Sequence, residues 1–123
     1  MKAKFLIANW KMNKSFKDGS ITVQSICRKI KNTIKKKFII LPSDPSIVFI
    51  KNTPVANPVL LGGQNCSAYN KGAYTGEISC ISLSDLKIDF CIVGHSERRN
   101  IYNEINIDIK LKSQSLIEYK IIP

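Results

Sequence analysis

The only histidine of this chain, His95, stands in the stretch CIVGHSERRN, between an apolar run and a charge cluster. A neutral imidazole at such a place can donate a hydrogen bond to a carbonyl and pass a proton. Much earlier, ANWKMN sets Asn9 and Lys11 two residues apart at the end of another apolar run. Lysine supplies a fixed positive charge for an anionic group or a developing oxyanion, and asparagine a neutral donor beside it. On a strand, residues two apart face the same side, which would aim both side chains together. His95, Ser96 and Glu97 are not a nucleophilic triad, because consecutive residues point in different directions. Each feature also has a plain reading: a structural histidine at a strand end, and a solvated strand-end lysine.

Such groups need rigid elements to aim them. Residues 4–9, KFLIAN, read as a buried strand. From Phe16 onward, Val23, Ile26, Cys27, Ile30 and Ile34 recur as one helical stripe, with Ser15 as N-cap. FIILP, residues 38–42, is a second buried strand stopped by a proline, and Ile47, Val48 and Ile50 predict a short helix after Pro45. PVLL, residues 58–61, gives a third strand, closed by Gly62 and Gly63; that glycine pair is far from a phosphate-binding signature. The polar, tyrosine-bearing segment QNCSAYNKGAYTGE, residues 64–77, is a long loop of the kind that makes contacts or carries function.

A short helix is expected over Ser82–Leu86 and a fourth buried strand over DFCIVG, residues 89–94, with His95 at its end. INIDIKLK, residues 105–112, alternates like a strand, yet Ile105, Ile109 and Leu116 also fall near one helical face, so both readings stand. EYKIIP opens a further apolar run. Strand and helix thus alternate four times, with the start of a fifth unit. That pattern is α/β, a parallel sheet covered by helices, in one domain over residues 1–123. In such folds ligands bind beyond the carboxyl ends of the strands, where Asn9, Lys11 and His95 lie.

Composition narrows the field further. A hydrophobic share of 44% and a charged share of 23% are those of a soluble folded chain. No apolar run approaches the roughly 18–20 residues that cross a bilayer. MKAKFLIANWK is basic and then apolar, but Phe5–Ala8 is too short for a signal peptide, so a cytoplasmic protein is expected. The four cysteines show no C-x-x-C spacing, and one histidine cannot complete the usual zinc sets. No metal and no cofactor are therefore expected. A disulfide is possible on number alone, while buried free thiols are the expectation. The net charge of +10 comes with 16 lysines, 20 isoleucines and 10 asparagines against 3 arginines, residues whose enrichment follows A/T-rich codons. The lysines are scattered, so nucleic acid is not an expected partner.

In order and spacing, ANWKMN, QNCSAYNKGAYTGEIS and IVGHSERR make the chain resemble triosephosphate isomerase over essentially all its residues. The hexapeptide GHSERR after an apolar strand is highly specific. The resemblance implies a TIM (β/α)8 barrel and a homodimeric cytoplasmic isomerase of glycolysis and gluconeogenesis. Its reaction would interconvert dihydroxyacetone phosphate and glyceraldehyde 3-phosphate. It implies that Asn9 and Lys11 bind the substrate and that His95 is the electrophile, kept neutral by a helix N-terminus as is familiar for this family's histidine. By the same resemblance Glu97 pairs with the site lysine and Ser96 lines the pocket. Thr75, in YTGE, would reach into a partner subunit's site.

The family's barrel has eight strand–helix units and about 250 residues. These residues reach four units and the start of a fifth strand, ending at Pro123. The resemblance puts the catalytic base, a glutamate on the sixth strand, outside this stretch, with the lid and the glycine-rich phosphate cradle. Nothing in the sequence places Glu77, Glu97 or Glu104 opposite His95 as a substitute. Losing one general base costs roughly 100- to 10,000-fold. The expectation is a truncated isomerase polypeptide, inactive alone, with an open sheet edge at its first strand. The alternatives are a half-enzyme completed by a separate C-terminal half, and a basic module binding an anionic partner, nucleic acid included.

Overall fold

A computed structural model describes residues 5–30, 38–55 and 59–123. The chain forms two compact units, residues 1–64 and 65–123. The first holds β1 (Leu6–Asn9), α1 (Phe16–Lys29), β2 (Phe38–Leu41), α2 (Asp44–Lys51) and β3 (Leu60–Gly63). The strands pair in parallel, Leu6 opposite Phe38 through Asn9 opposite Leu41, then Ile39 opposite Leu60. Ile39, Ile40 and Leu41 are all at most 1% exposed, so β2 is buried on both faces. That is why its sequence reads as an unbroken apolar run rather than an alternating one.

Ile40 packs with Val23, Cys27, Ile50 and Val59, and Trp10 closes over that cluster. Gly19 makes room for the closure, since a Cβ there would stand 3.1 Å from Trp10 Cζ3 and 3.2 Å from Ile50 Cδ1. The Ser15 cap is present: its Oγ accepts from the Asp18 N–H at 3.2 Å and donates to the Asp18 carboxylate at 2.8 Å. α2 starts at Asp44 with Pro45 in its first turn, where the missing N–H costs nothing.

Two expectations for this unit change. β3 runs Leu60–Gly63, so both glycines lie within the strand, because the register with β2 starts the pairing at Leu60. The β1 reading as a buried strand also fails: Phe5, Leu6 and Ile7 are 47%, 60% and 53% exposed. Among the described residues β1 pairs with β2 alone, which leaves the open edge expected for the first strand. Lys4, Ile34 and Pro58, which the sequence reading included, lie outside the described residues.

The second unit holds α3 (Cys80–Asp85), β4 (Phe90–Cys91), α4 (Ser96–Tyr102) and α5 (Asn106–Glu118). Its core gathers Cys66, Cys80, Leu83, Ile88, Cys91, Leu116 and Ile121. All four cysteines of the chain are free and buried. α3 starts earlier than expected because Ser79 caps it, its Oγ accepting from the Ser82 N–H at 3.2 Å. β4 is shorter than the apolar run that encodes it. Gly94, at φ +65°, has left the extended conformation before His95 is reached. The expected start of a fifth strand is present as a parallel bridge of Phe90 with Ile122. Cys91 N–H donates to Ile122 O at 3.0 Å, and Ile122 N–H to Asp89 O at 2.9 Å.

The ambiguous stretch 105–112 is helical from Asn106 onward, with Ile105 as the extended N-cap. Asp108 accepts from the Ile105 N–H at 2.9 Å, a side chain bonding back to the residue before the helix. The helix buries Lys112, Ser115 and Leu116, while Ile105 and Ile107 face solvent. The period-two alternation therefore served no sheet. α5 ends with Lys120 at φ +59°, its N–H on Ile117 O at 3.0 Å and the Ile121 N–H on Leu116 O at 2.9 Å. α3 ends the same way, with Lys87 at φ +52° and the Ile88 N–H on Leu83 O at 3.0 Å. Both are Schellman closures with lysine where glycine is usual. No helix among the described residues is long and apolar enough to cross a membrane.

Candidate functional site

Asn9 and Lys11 lie in the first unit. Asn9 ends β1, but Lys11 lies beyond the strand, in a turn closed by the Asn13 N–H on Trp10 O at 3.2 Å. Strand alternation therefore does not align the two side chains, contrary to the sequence argument. What couples them is local: the Lys11 N–H donates to Asn9 Oδ1 at 2.9 Å, an Asx-type turn. This bond fixes the Asn9 amide with its oxygen occupied, leaving its NH2 as the donor end.

Lys11 itself sits at φ +53°. A non-glycine residue pays about 1–2 kcal/mol for that conformation, and it persists only where the surroundings impose it. Here they do. Gln64 Nε2 donates to Lys11 O and to Leu41 O, each at 2.9 Å. The Trp10 N–H adds a bond to the same Leu41 O at 3.0 Å. A side chain at the end of β3 thus ties the Lys11 turn to the end of β2. Sequence reasoning missed Gln64, assigning it to the following loop; its one signal was a polar residue directly after an apolar strand.

His95, Ser96, Glu97 and Thr75 lie in the second unit. His95 is the N-cap of α4, and its Nδ1 accepts from the Glu97 N–H at 3.1 Å. The Glu97 carboxylate stands farther from Nδ1, at 3.6 Å, beyond hydrogen-bond range. As an acceptor, Nδ1 carries no hydrogen, so the neutral ring holds its proton on Nε2. The ring is half-buried, and Ser96 is exposed at the first position of the helix.

The same unit holds a buried ionic group that sequence reasoning also missed. Glu104 accepts from Lys112 Nζ and, at 2.8 Å, from Arg98 Nε. Lys112 Nζ also donates to Asn65 Oδ1 at 2.9 Å. Burial pushes the Glu104 carboxyl up, but the bonds and charges of Lys112 and Arg98 outweigh it and hold it below the usual range. No short-range pattern flags a pair eight residues apart with one partner in a loop.

Thr75 lies in an exposed turn, closed by the Glu77 N–H on Tyr74 O at 3.1 Å, with Gly76 at φ +89°. The loop carrying it is drawn together at its base by the Ser67 N–H on Ile78 O at 2.7 Å. Tyr69 and Tyr74 stack within it, ring centroids 4.6 Å apart.

Strand–helix units with parallel pairing, and polar groups set just past the strand ends, define an α/β protein of the (β/α)-barrel kind. The family model for triosephosphate isomerase matches residues 4–123. The chain belongs to the triosephosphate isomerase family. It is 39% identical over its whole length to the triosephosphate isomerase of Mesomycoplasma hyorhinis, covering 52% of that protein. It is 37% identical over its whole length to that of Dictyoglomus turgidum, covering 49% of it. With the Aquifex aeolicus protein it shares 33% identity over 98% of this chain and 49% of that one. The chain therefore spans about half the length of the curated relatives it matches.

Proposed function

We propose that this chain carries the electrophilic and cationic part of a triose phosphate isomerisation site, acting in cytoplasmic glycolysis and gluconeogenesis. The observation that carries the reading is His95, whose Nδ1 is occupied by the Glu97 N–H so that Nε2–H is the free donor. Such a donor polarises the substrate carbonyl and stabilises the enediolate that follows proton abstraction. Lys11 supplies positive charge to the phosphate and the enediolate, and Asn9 a neutral donor from its amide. Ser96 and Glu97 flank the ring. Thr75, exposed at the tip of a closed loop, suits a contact with a partner subunit, and a homodimer follows from that role.

None of the three glutamates considered as a stand-in base suits that task. Glu104 is committed to Arg98 and Lys112, and Glu97 lies on the Nδ1 side of the ring, away from Nε2. Glu77 is exposed on the loop. Turnover then requires a base from outside these residues.

A coupled assay with dihydroxyacetone phosphate tests this reading. The chain alone is expected to match a His95→Ala control. Mixed with the C-terminal half of the Mesomycoplasma hyorhinis relative, it should gain activity that His95→Ala abolishes. Turnover by the chain alone well above the control, or reconstituted activity indifferent to His95, overturns the reading.

A further inference from the structure

α4 is seven residues long and has no buried residue. A helix of under two turns is unstable by itself, and this one has no packed face to fix its start. Yet His95 must hold its backbone at φ −54°, ψ 144° for Nδ1 to reach the Glu97 N–H. Something other than apolar packing has to set it, and two consecutive arginines following the histidine make the relevant bonds.

Arg99 reaches back. Its Nε donates to Gly94 O at 3.1 Å, and its Nη1 to Asn106 Oδ1 at 2.9 Å. The Gly94 carbonyl belongs to the peptide joining it to His95, so this bond orients the peptide plane from which the imidazole hangs. Asn106 is the first residue of α5, so the bond ties that plane to the neighbouring helix. Gly94 is seated on the same helix: a Cβ there would lie 2.7 Å from Ile109 Cδ1.

Arg98 holds the other end. Its Nε meets Glu104 Oε1 at 2.8 Å, and Lys112 of α5 binds the same oxygen. The guanidinium lies over the Tyr102 ring at 4.4 Å, and the Glu104 N–H donates to Arg98 O at 3.1 Å. The side chains of Glu104 and Lys112 are only 6% and 7% exposed, so this anchor is shielded from competing water.

We propose that Arg98 and Arg99 are positioning residues that form a two-point clamp, tying both ends of α4 to α5 and holding the His95 ring in its Nε2–H orientation. The planar fork of arginine suits this task, since Arg99 meets the carbonyl and the amide oxygen with two different nitrogens held in one plane, whereas a lysine would have to reach both from a single ammonium nitrogen. The inference gains its catalytic meaning from the reading of His95 as electrophile, but its test observes the ring itself.

The chain has a single histidine, so labelling with 15N-histidine gives one pair of ring nitrogen signals. At a pH where the ring is neutral, the full chain should show two widely separated shifts, those of a single Nε2–H tautomer. Arg99→Gln and Asn106→Ala alter exposed side chains, and should bring the two shifts closer together with little change in thermal midpoint. Arg99→Lys should fail to restore the separation, and Arg98→Gln should narrow it while lowering the midpoint. A tautomer-averaged ring in the unaltered chain overturns the proposal. So does an unchanged separation in Asn106→Ala with Arg99→Gln or Arg99→Lys, read where far-UV circular dichroism shows them folded. If the isomerisation assay fails while these shifts respond, the catalytic reading falls and the clamp stands.

Discussion

Arg98 Nε stands 2.8 Å from Glu104 Oε1, and Lys112 reaches the same carboxylate oxygen from α5, so one buried anion answers two cations. Removing one member of a buried ionic group strands the others without water. Glu104→Gln should therefore cost about 3–5 kcal/mol in urea unfolding. The pH dependence has a definite sign. The folded carboxyl is held below its ordinary value of 4.5 by the two cations, so between those values the unfolded chain binds more protons. Its contribution is complete above pH 4.5 and is lost as the pH falls through the lowered folded value. The acid limb of a stability–pH curve should be shallower in Glu104→Gln, and identical limbs would refute the account.

Gly94 combines φ +65° with a tight seat against Ile109. Gly94→Ala forces a Cβ into both. The backbone penalty alone is about 1–2 kcal/mol, and the Ile109 contact at 2.7 Å adds to it unless that side chain turns away. The pairing Gly94→Ala with Ile109→Ala separates the two effects: the double variant should recover the steric part and keep the conformational part. Full recovery in the double variant means that φ carries no cost.

The sequence made the strand–helix alternation legible because β2 and β4 are apolar runs and α1 has a clean stripe opened by Ser15. It misled where composition is uniform. With 20 isoleucines in the chain, Ile105 and Ile107 imitate strand alternation although both face solvent, one as the N-cap of α5 and the other in its first turn. The motif residues were legible as types. The Lys11 conformation was not, because a left-handed lysine depends on Gln64, 53 positions away. The Glu104–Lys112 pair was hidden for the same reason, since burial rather than spacing defines it.

Lys87 and Lys120 occupy the left-handed positions that close α3 and α5. Glycine adopts this φ freely. Lys120→Gly should therefore stabilise the chain by about 1 kcal/mol, offset in part by the greater freedom glycine gives the unfolded chain. The same change at Lys110, inside α5, should instead destabilise by a similar amount. Thermal midpoints of the two variants should move in opposite directions; a shared direction would show that the closing geometry does not govern either.

Gln64 is the residue on which the Lys11 turn rests. Its amide donates to two carbonyls, Lys11 O and Leu41 O, each at 2.9 Å. A typical bond of this kind contributes about 0.5–1.5 kcal/mol, so Gln64→Ala should lower stability by about 1–3 kcal/mol. Gln64→Glu is the sharper test. A carboxylate has no donor for either carbonyl and brings a negative charge against both oxygens, so it should destabilise at least as much as alanine despite its matching shape. The sole tryptophan, Trp10, packs partly buried against the core of the same unit and its backbone N–H bonds to Leu41 O, so its fluorescence reports the local loss directly. The Gln64→Ala urea midpoint followed at Trp10 should shift with that signal. A glutamate variant as stable as the parent would show that the turn is held by something other than this amide.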